Sequence, residues 1–333
     1  MSYAPPFTIT TDILNLVADI SQQVGMLDAS TLNASPQLRK QNRIKTITGT
    51  LAIEGNSLTE EQVTAIVDGK PVMGSVRELA EVKGAIAAYD ALPNFNPGNI
   101  VDLLAAHGLM LGDILQNAGR FRSNAVGIHK AGVVHHVAPP ADRVSGLMAE
   151  LIQWLANTKD HPLIASSVFH YEFEFIHPFS DGNGRMGRLW QTLILSQWHP
   201  LFLSLPLESV IKDHQQQYYQ ALEQADDEAN STPFIHFMLS VIAETLAQNA
   251  TINATINAPV NVPINPALDI AELATPDAIL SLLSSNPEFT RQQLASIIGK
   301  DVRTIARALA TLQQAGKVER IGSNKTGHWK VNQ

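Results

Sequence analysis

His177-Pro178-Phe179-Ser180-Asp181-Gly182-Asn183-Gly184-Arg185-Met186-Gly187-Arg188 decides how the rest of this chain is read. Met186, Leu189, Trp190 and Leu193 recur at i, i+3, i+4, i+7, which predicts a helix starting near Gly184. Glycines ahead of a helix start let backbone N–H groups turn toward an anion, and the helix dipole favours negative charge there. Arg185 and Arg188 share one side of the first turn, where they can clamp further phosphate oxygens. Asp181 offers a hard oxygen ligand of the kind Mg²⁺ takes beside phosphates. His177 can accept a proton near neutral pH. The loop therefore reads as a polyphosphate site with a metal ligand and a base. It is not a G-x-x-x-x-G-K-[ST] loop, since no lysine or hydroxyl follows the glycines. A glycine-rich turn capping a helix would explain Gly-Asn-Gly, but not the histidine, the aspartate and two arginines beside it.

With all of these in one segment, the stretch resembles the signature H-x-F-x-[D/E]-G-N-G-R-x-x-R of the Fic (filamentation induced by cAMP) family, and every fixed position matches. The resemblance implies an all-α fold: a helical core with a short β-hairpin flap. It also implies transfer of AMP from ATP to a Ser, Thr or Tyr hydroxyl of a target protein. His177 would then be the base and Asp181 would hold Mg²⁺. Gly182, Asn183 and Gly184 would bind phosphate oxygens, and Arg185 and Arg188 the leaving pyrophosphate.

Upstream, a helix is expected over Thr11–Met26, with Ile13, Leu14, Val17, Ile20 and Val24 on one side. Ser35-Pro36 opens a second helix that Gly55 should end. Near its end, Thr50-Leu51-Ala52-Ile53-Glu54-Gly55 matches the family's inhibitory pattern [S/T]-x-x-x-E-[G/N]. The resemblance implies that Glu54 pairs with Arg188 in place of the γ-phosphate. A surface glutamate before a helix-ending glycine is the plainer alternative. Thr59-x-x-Gln62 and Ser75-x-x-Glu78 are capping boxes that start two more helices. Asn99 caps the next, with Val101, Leu104, Ala105 and Leu109 expected on the core and His107 read as packed or solvated. Gly119-Arg120-Phe121-Arg122 matches a turn the family has at this point.

The β-branched residues between Val126 and Pro140 predict a hairpin. In the family a hairpin here is a flap, and its edge can pair with an extended segment of the target protein. His129, His135 and His136 do not fix a tetrahedral metal site at that spacing. Asp142 to Thr158 is amphipathic. Pro162 to Ile176 is apolar on most sides, a buried helix that delivers His177. On it, His170, Glu172 and Glu174 read as structural polar groups. Helices are also expected over Glu208–Asp226 and Pro233–Ala247. The resemblance puts Tyr219 beside the adenine. Asp226 stands where the family more often has asparagine.

Net charge is −8, with no cysteine. That excludes disulfides and thiolate metal sites and disfavours nonspecific nucleic-acid binding by the whole chain. No signal peptide or membrane span is readable, so no membrane association and a cytoplasmic location are expected. Charge is uneven: Pro276 to Gln333 carries eight Lys/Arg against four Asp/Glu, leaving 15 against 27 elsewhere. Helical patterns near Asp277–Ser285, Arg291–Ile298 and Val302–Gln314, then a hairpin, resemble a winged helix-turn-helix, with Arg303 and Arg307 on the recognition helix. Such modules bind DNA or protein. The expected domains are residues 1–94 with the inhibitory helix, 95–247 as catalytic core, 248–267 as an uncharged linker, and 268–333 as the winged helix. A protein adenylyltransferase, autoinhibited by Glu54, is the reading carried forward. Its expected partners are ATP, a target protein on the 126–140 hairpin and DNA at the winged helix, and it allows a homodimer. Two rivals stay open: a nucleotide-sensing DNA-binding regulator, and a Fic enzyme that uses another donor or removes AMP.

Overall fold

The computed structural model describes residues 3–26, 36–125, 127–130, 133–257, 274–285, 287, 289–321 and 328–332. They fall into two units, Met1–Asn257 and Ala258–Gln333. In the first, helices α1 (Thr11–Met26), α2 (Pro36–Ile53), α3 (Glu60–Val67), α4 (Val76–Ala91) and α5 (Ile100–Leu111) precede a hairpin of β1 (Gly127–Lys130) and β2 (Val133–Val137). Then come α6 (Ala141–Asn157), α7 (Pro162–Ile176), α8 (Asn183–Trp198), α9 (Leu207–Asp213), α10 (Gln215–Glu228) and α11 (Thr232–Asn257). The fold is all-α with a short hairpin, as expected.

The unit is organised around α7, which is buried at almost every position and packs along α8. Phe169, Phe173 and Ile176 of α7 join Leu189, Trp190 and Leu193 of α8 in one core, which Leu103 and Met110 of α5 and Val144, Met148 and Leu151 of α6 complete. On the other side, Leu163 and Val168 pack with Ile13 and Ile20 of α1 and Ile235, Leu239 and Ile242 of α11. Both capping boxes are formed, at Thr59/Gln62 and Ser75/Glu78. Each fixes a helix start, which for α4 matters below. In the hairpin Gly127 pairs with Val137 and Lys130 with Val133, antiparallel, with an irregularity between Ile128 and His129.

Four expectations are corrected. Leu14 is exposed, not on the buried side of α1. On α5 the buried residues are Leu103, Ala106, His107, Met110 and Leu111, whereas Val101, Ala105 and Leu109 are exposed and Leu104 half-buried. That helix is apolar nearly all round, so periodicity alone cannot choose its inner face. The helix expected over 208–226 is two helices, because His214 leaves helical dihedrals (φ −105°, ψ 28°), with its ring paired to Glu244 at 2.9 Å. Finally, α11 runs on through Asn257, so residues 248–257 are helical rather than linker. Asn249 shows why: it is buried, donates to the Thr245 carbonyl and accepts from Asn42 of α2. The rest of the expected linker, 258–267, lies outside the described residues. So do Ser35, Val126 and the side chains of His129, His135 and His136.

The second unit has α12 (Thr275–Ser285), α13 (Arg291–Ile298), α14 (Val302–Gln314) and an antiparallel hairpin of β3 (Val318–Ile321) and β4 (His328–Val331). Thr290 caps α13, Asp301 caps α14, and Gly299 turns between them at φ 69°. Ile305, Leu309 and Leu312 of α14 share its core with Ile279, Leu283, Leu294 and Trp329.

Candidate active site

The site is the turn from α7 to α8. Helix α7 ends on His177, which has φ 50° and ψ 61°, a left-handed cap that a non-glycine residue adopts only when held there. Arg122 holds it. Its Nε donates to the His177 carbonyl at 2.8 Å, its Nη2 to those of Ile176 at 3.3 Å and Pro139 at 2.6 Å, and its backbone N–H to Pro178 at 2.9 Å. One buried guanidinium thus satisfies helix-end carbonyls and ties the strand end to the loop. The Gly119–Arg122 turn flagged in the sequence owes its place to that residue.

Beyond His177 the loop is clamped from inside. Asn183 donates from Nδ2 to the Phe179 carbonyl at 2.9 Å and accepts the Phe179 N–H at 2.8 Å. Its side chain is therefore used within the loop, which leaves its backbone N–H at the start of α8 for an anion. Gly182 has φ 84°, and a Cβ there would meet Leu111 at 2.2 Å. The left-handed backbone favours glycine, and a side chain there would have to displace the Leu111 methyl. His107 stacks on Phe179 with ring centroids 3.7 Å apart. Its Nδ1 accepts the Gly119 N–H at 2.8 Å, so Nε2 carries the proton and donates to the Asp181 carbonyl at 3.1 Å. Burial lowers its pKa to about 4, which keeps the ring neutral. Sequence reading missed this support because His107 has no partner nearby in the chain.

The charged side chains form two groups. In one, Arg188 is buried and donates from Nη2 to Glu54 Oε1 at 2.7 Å and to the Thr50 carbonyl at 3.1 Å, and from Nε to Thr50 Oγ1 at 3.0 Å. Burial works against its charge, but Glu54, with Tyr218 and Glu174 beside it, outweighs that, so its pKa is raised. A Cβ on Gly184 would lie 2.4 Å from Glu54 Oε1, so Gly184 makes room for the pair. Gly55, at φ 88°, ends the helix beside it. Tyr219 is half-buried, with its hydroxyl 3.4 Å from the Ile53 carbonyl, and Gln215 donates to the same carbonyl at 2.9 Å. Asp226 accepts from the Tyr171 hydroxyl at 2.9 Å.

In the other group, Asp181 accepts from Arg185 Nη2 at 3.0 Å and from Arg77 Nη2 at 2.9 Å. Arg185 is buried and also lies 3.6 Å from Glu81. Arg77 and Glu81, both on α4, were not anticipated, because nothing local links them to residues about a hundred positions away. Between the groups lies Glu174, buried, with Oε2 3.9 Å from His177 Nδ1 and Oε1 3.8 Å from His170 Nε2. Burial pushes its carboxyl up to about 8, with Arg188 pulling down and Glu54 pushing further up. A Cβ on Gly187 would clash with both His170 and Glu174.

The Fic/DOC family profile matches residues 97–195, which span the hairpin, α7, the loop and most of α8. A crystal structure of a Fic family protein from Desulfovibrio desulfuricans G20 is 42% identical, with a TM-score of 0.75 over 99% of this chain and 98% of that one. The chain belongs to the Fic family. Fic-1 from C. elegans, at 23% identity and TM-score 0.61 over 74% of this chain and 73% of that one, shares the fold. Among curated relatives, protein adenylyltransferase Fic of Aedes aegypti is 32% identical over 66% of this chain and 44% of that protein. The protein of the same name from Culex quinquefasciatus is 30% identical over 68% and 45%. The chain spans about half the length of the curated relatives it matches. Among the described residues, no helix is long and apolar enough to cross a membrane.

Proposed function

We propose that this Fic protein is a protein adenylyltransferase that moves AMP from ATP onto a Ser, Thr or Tyr hydroxyl of a target protein, and that Glu54 holds it inactive. The observation that carries the reading is the loop itself: His177 stands at the end of α7, four residues before Asp181 and six before the start of α8, with Arg188 in the second turn of that helix. The curated relatives' name points to the same activity.

His177 takes the proton from the target hydroxyl, whose oxygen attacks the α-phosphorus. The new O–P bond forms as the bond to the β-phosphate bridging oxygen breaks, and pyrophosphate leaves. Backbone N–H groups at Asn183 and Gly184 receive charge that builds on the phosphate oxygens, whereas the Gly182 N–H, expected to join them, is taken up by Asp181 Oδ1. Arg188 anchors the γ-phosphate, and Arg185 braces Asp181 beside the pyrophosphate. Tyr219 lies beside the adenine. The target's segment adds to the edge of the 126–140 hairpin, supplying backbone hydrogen bonds that hold its hydroxyl near His177.

Asp181 is the residue that would hold Mg²⁺. Among the described residues no cluster of three His, Asp or Glu could hold a metal alone. One carboxylate fits a cation whose other ligands are phosphate oxygens and water. Mg²⁺ so bound supplies charge neutralisation on the pyrophosphate. In the resting protein Glu54 occupies Arg188 and fills the space of the γ-phosphate. ATP then binds without its phosphates arranged for transfer.

The test is labelling with ATP carrying ³²P at the α position, with Mg²⁺ and a cell lysate. Glu54→Gly should raise self-labelling and target labelling, since it frees buried Arg188 from a partly exposed carboxylate, and Arg188→Ala added to it should remove the gain. Equal labelling by wild type and Glu54→Gly ends the inhibitory reading. No transfer of the α label by any form ends the adenylyltransferase reading.

A second role is proposed for the residues from 274 onward, in the winged-helix region expected over 268–333: DNA binding. Arg303 and Arg307 are exposed one turn apart on α14. Arg320 lies over the Trp329 ring at 5.0 Å, on the adjoining hairpin. The full chain should then bind duplex DNA with an affinity that falls steeply with salt. Arg303→Ala with Arg307→Ala should reduce the salt slope by about 2. Absence of retention on DNA at low salt points to a protein partner instead.

A further inference from the structure

The carboxylate assigned above to the divalent cation already carries a cation. Asp181 Oδ1 accepts from the Gly182 N–H at 2.6 Å and from Arg185 Nη2 at 3.0 Å. Both donors belong to the loop and the first turn of α8, and Arg185 is buried there. Oδ2 accepts from Arg77 Nη2 at 2.9 Å. Arg77 stands second in α4, just after the Ser75 cap, and its side chain is 61% exposed. Its Nε is held by Glu81 at 3.2 Å, one turn on, and Glu81 lies 3.6 Å from Arg185 Nη1. Four side chains close a ring. Arg185 is fixed in it by burial, whereas Arg77 is held only by ionic contacts at the surface.

We propose that Arg77 competes with the divalent cation at the nucleotide site: it sits on Oδ2 of Asp181 and must be displaced when Mg²⁺ arrives with the nucleotide. The inference rests on the adenylyltransferase reading and adds regulation to it. Competition follows from the two oxygens being held differently. Without Arg77, Asp181 keeps its orientation, because Oδ1 is still bound by the Gly182 N–H and buried Arg185. With Arg77 in place, a dication approaching Oδ2 meets a positive charge at contact distance. The two upstream helices then act on two halves of one ligand. The end of α2 covers the γ-phosphate anchor through Glu54, and the start of α4 covers the metal ligand through Arg77. Removing Glu54 alone leaves the second cover in place.

Mn²⁺ replaces Mg²⁺ in the test, and unbound Mn²⁺ is read by electron paramagnetic resonance. The full chain is titrated at low salt with saturating α,β-methylene ATP. Arg77→Ala should tighten Mn²⁺ binding about three- to fivefold, the scale of an exposed ion pair, and Arg77→Lys by less. Lys83→Ala, which removes an exposed cation from the same helix, should leave the Kd unchanged. Asp181→Asn should reduce the binding to that of α,β-methylene ATP alone without protein. If Arg77 instead held Asp181 in a productive position, Arg77→Ala would weaken binding, the opposite sign. A weaker or unchanged Kd in Arg77→Ala, with Asp181 dependence intact, overturns the inference and leaves the nucleotide reading standing. Wild-type chain that shows no Asp181-dependent Mn²⁺ binding overturns both.

Discussion

The loop from His177 to Arg188 and the face of α4 that meets it are held by opposite means. The loop is clamped from within: Asn183 bonds both backbone groups of Phe179, Gly182 turns left-handed, and its buried neighbour His107 braces the Asp181 carbonyl. The α4 face meets the loop through exposed Arg77, whose partners are charges, and the first turn of α8 through Glu81. Groups that must present a fixed geometry are held by buried hydrogen bonds. Groups that must yield to a ligand are held by surface ion pairs, which cost little to break.

Breaking the loop at its base should have the largest effect. His177→Ala in a Glu54→Gly background should lower AMP transfer by about 10²–10⁴-fold, and α,β-methylene ATP should still bind within about twofold, since the phosphate-binding backbone is unchanged. Transfer at the parental rate removes His177 from the base role. Cutting the internal clamp comes next. Asn183→Ala strands a buried N–H and a buried carbonyl, so it should cost about 1–3 kcal/mol of unfolding free energy by denaturant titration. Arg77→Ala should cost less than about 1 kcal/mol in the same titration. Equal losses from the two would erase the contrast.

The smallest effect sharpens it through pH. The folded pKa of Glu174, about 8, lies above its unfolded value. The folded protein therefore keeps a proton that the unfolded chain gives up as pH rises through the ordinary carboxylate range. Stability from this group falls as pH rises from about 4.5 toward 8. Glu174→Gln, always neutral, should escape that loss. It should raise Tm at pH 8, with the gain shrinking toward pH 5. A gain independent of pH would mean that Glu174 does not titrate as its burial demands.

Much of the site was legible because the loop's chemistry is local. The motif from His177 to Arg188 names its own turn, helix start and charges, and Thr50 and Glu54 were found because a second short pattern could be matched to it. The hairpin, both capping boxes and the buried α7 were readable for the same reason: period, cap and turn are short-range properties. The inner face of α5 was misread because an almost uniformly apolar helix carries no periodic signal. The helical stretch 248–257 was misread because a polar, low-complexity sequence says nothing of Asn249 meeting Asn42.

By itself, then, the sequence determined an all-helical core and the loop from His177 to Arg188 on which the proposed base and phosphate ligands stand, and it matched an upstream glutamate to Arg188. Only the tertiary structure decided which charges meet. It brings Glu54 within 2.7 Å of Arg188 and Arg77 within 2.9 Å of Asp181, across chain separations of 134 and 104 residues. It also turns His107 inward to hold the loop. Propensity and spacing act over a few residues, whereas a charge pair or a ring stacked in a core depends on how whole helices pack, which no local pattern records.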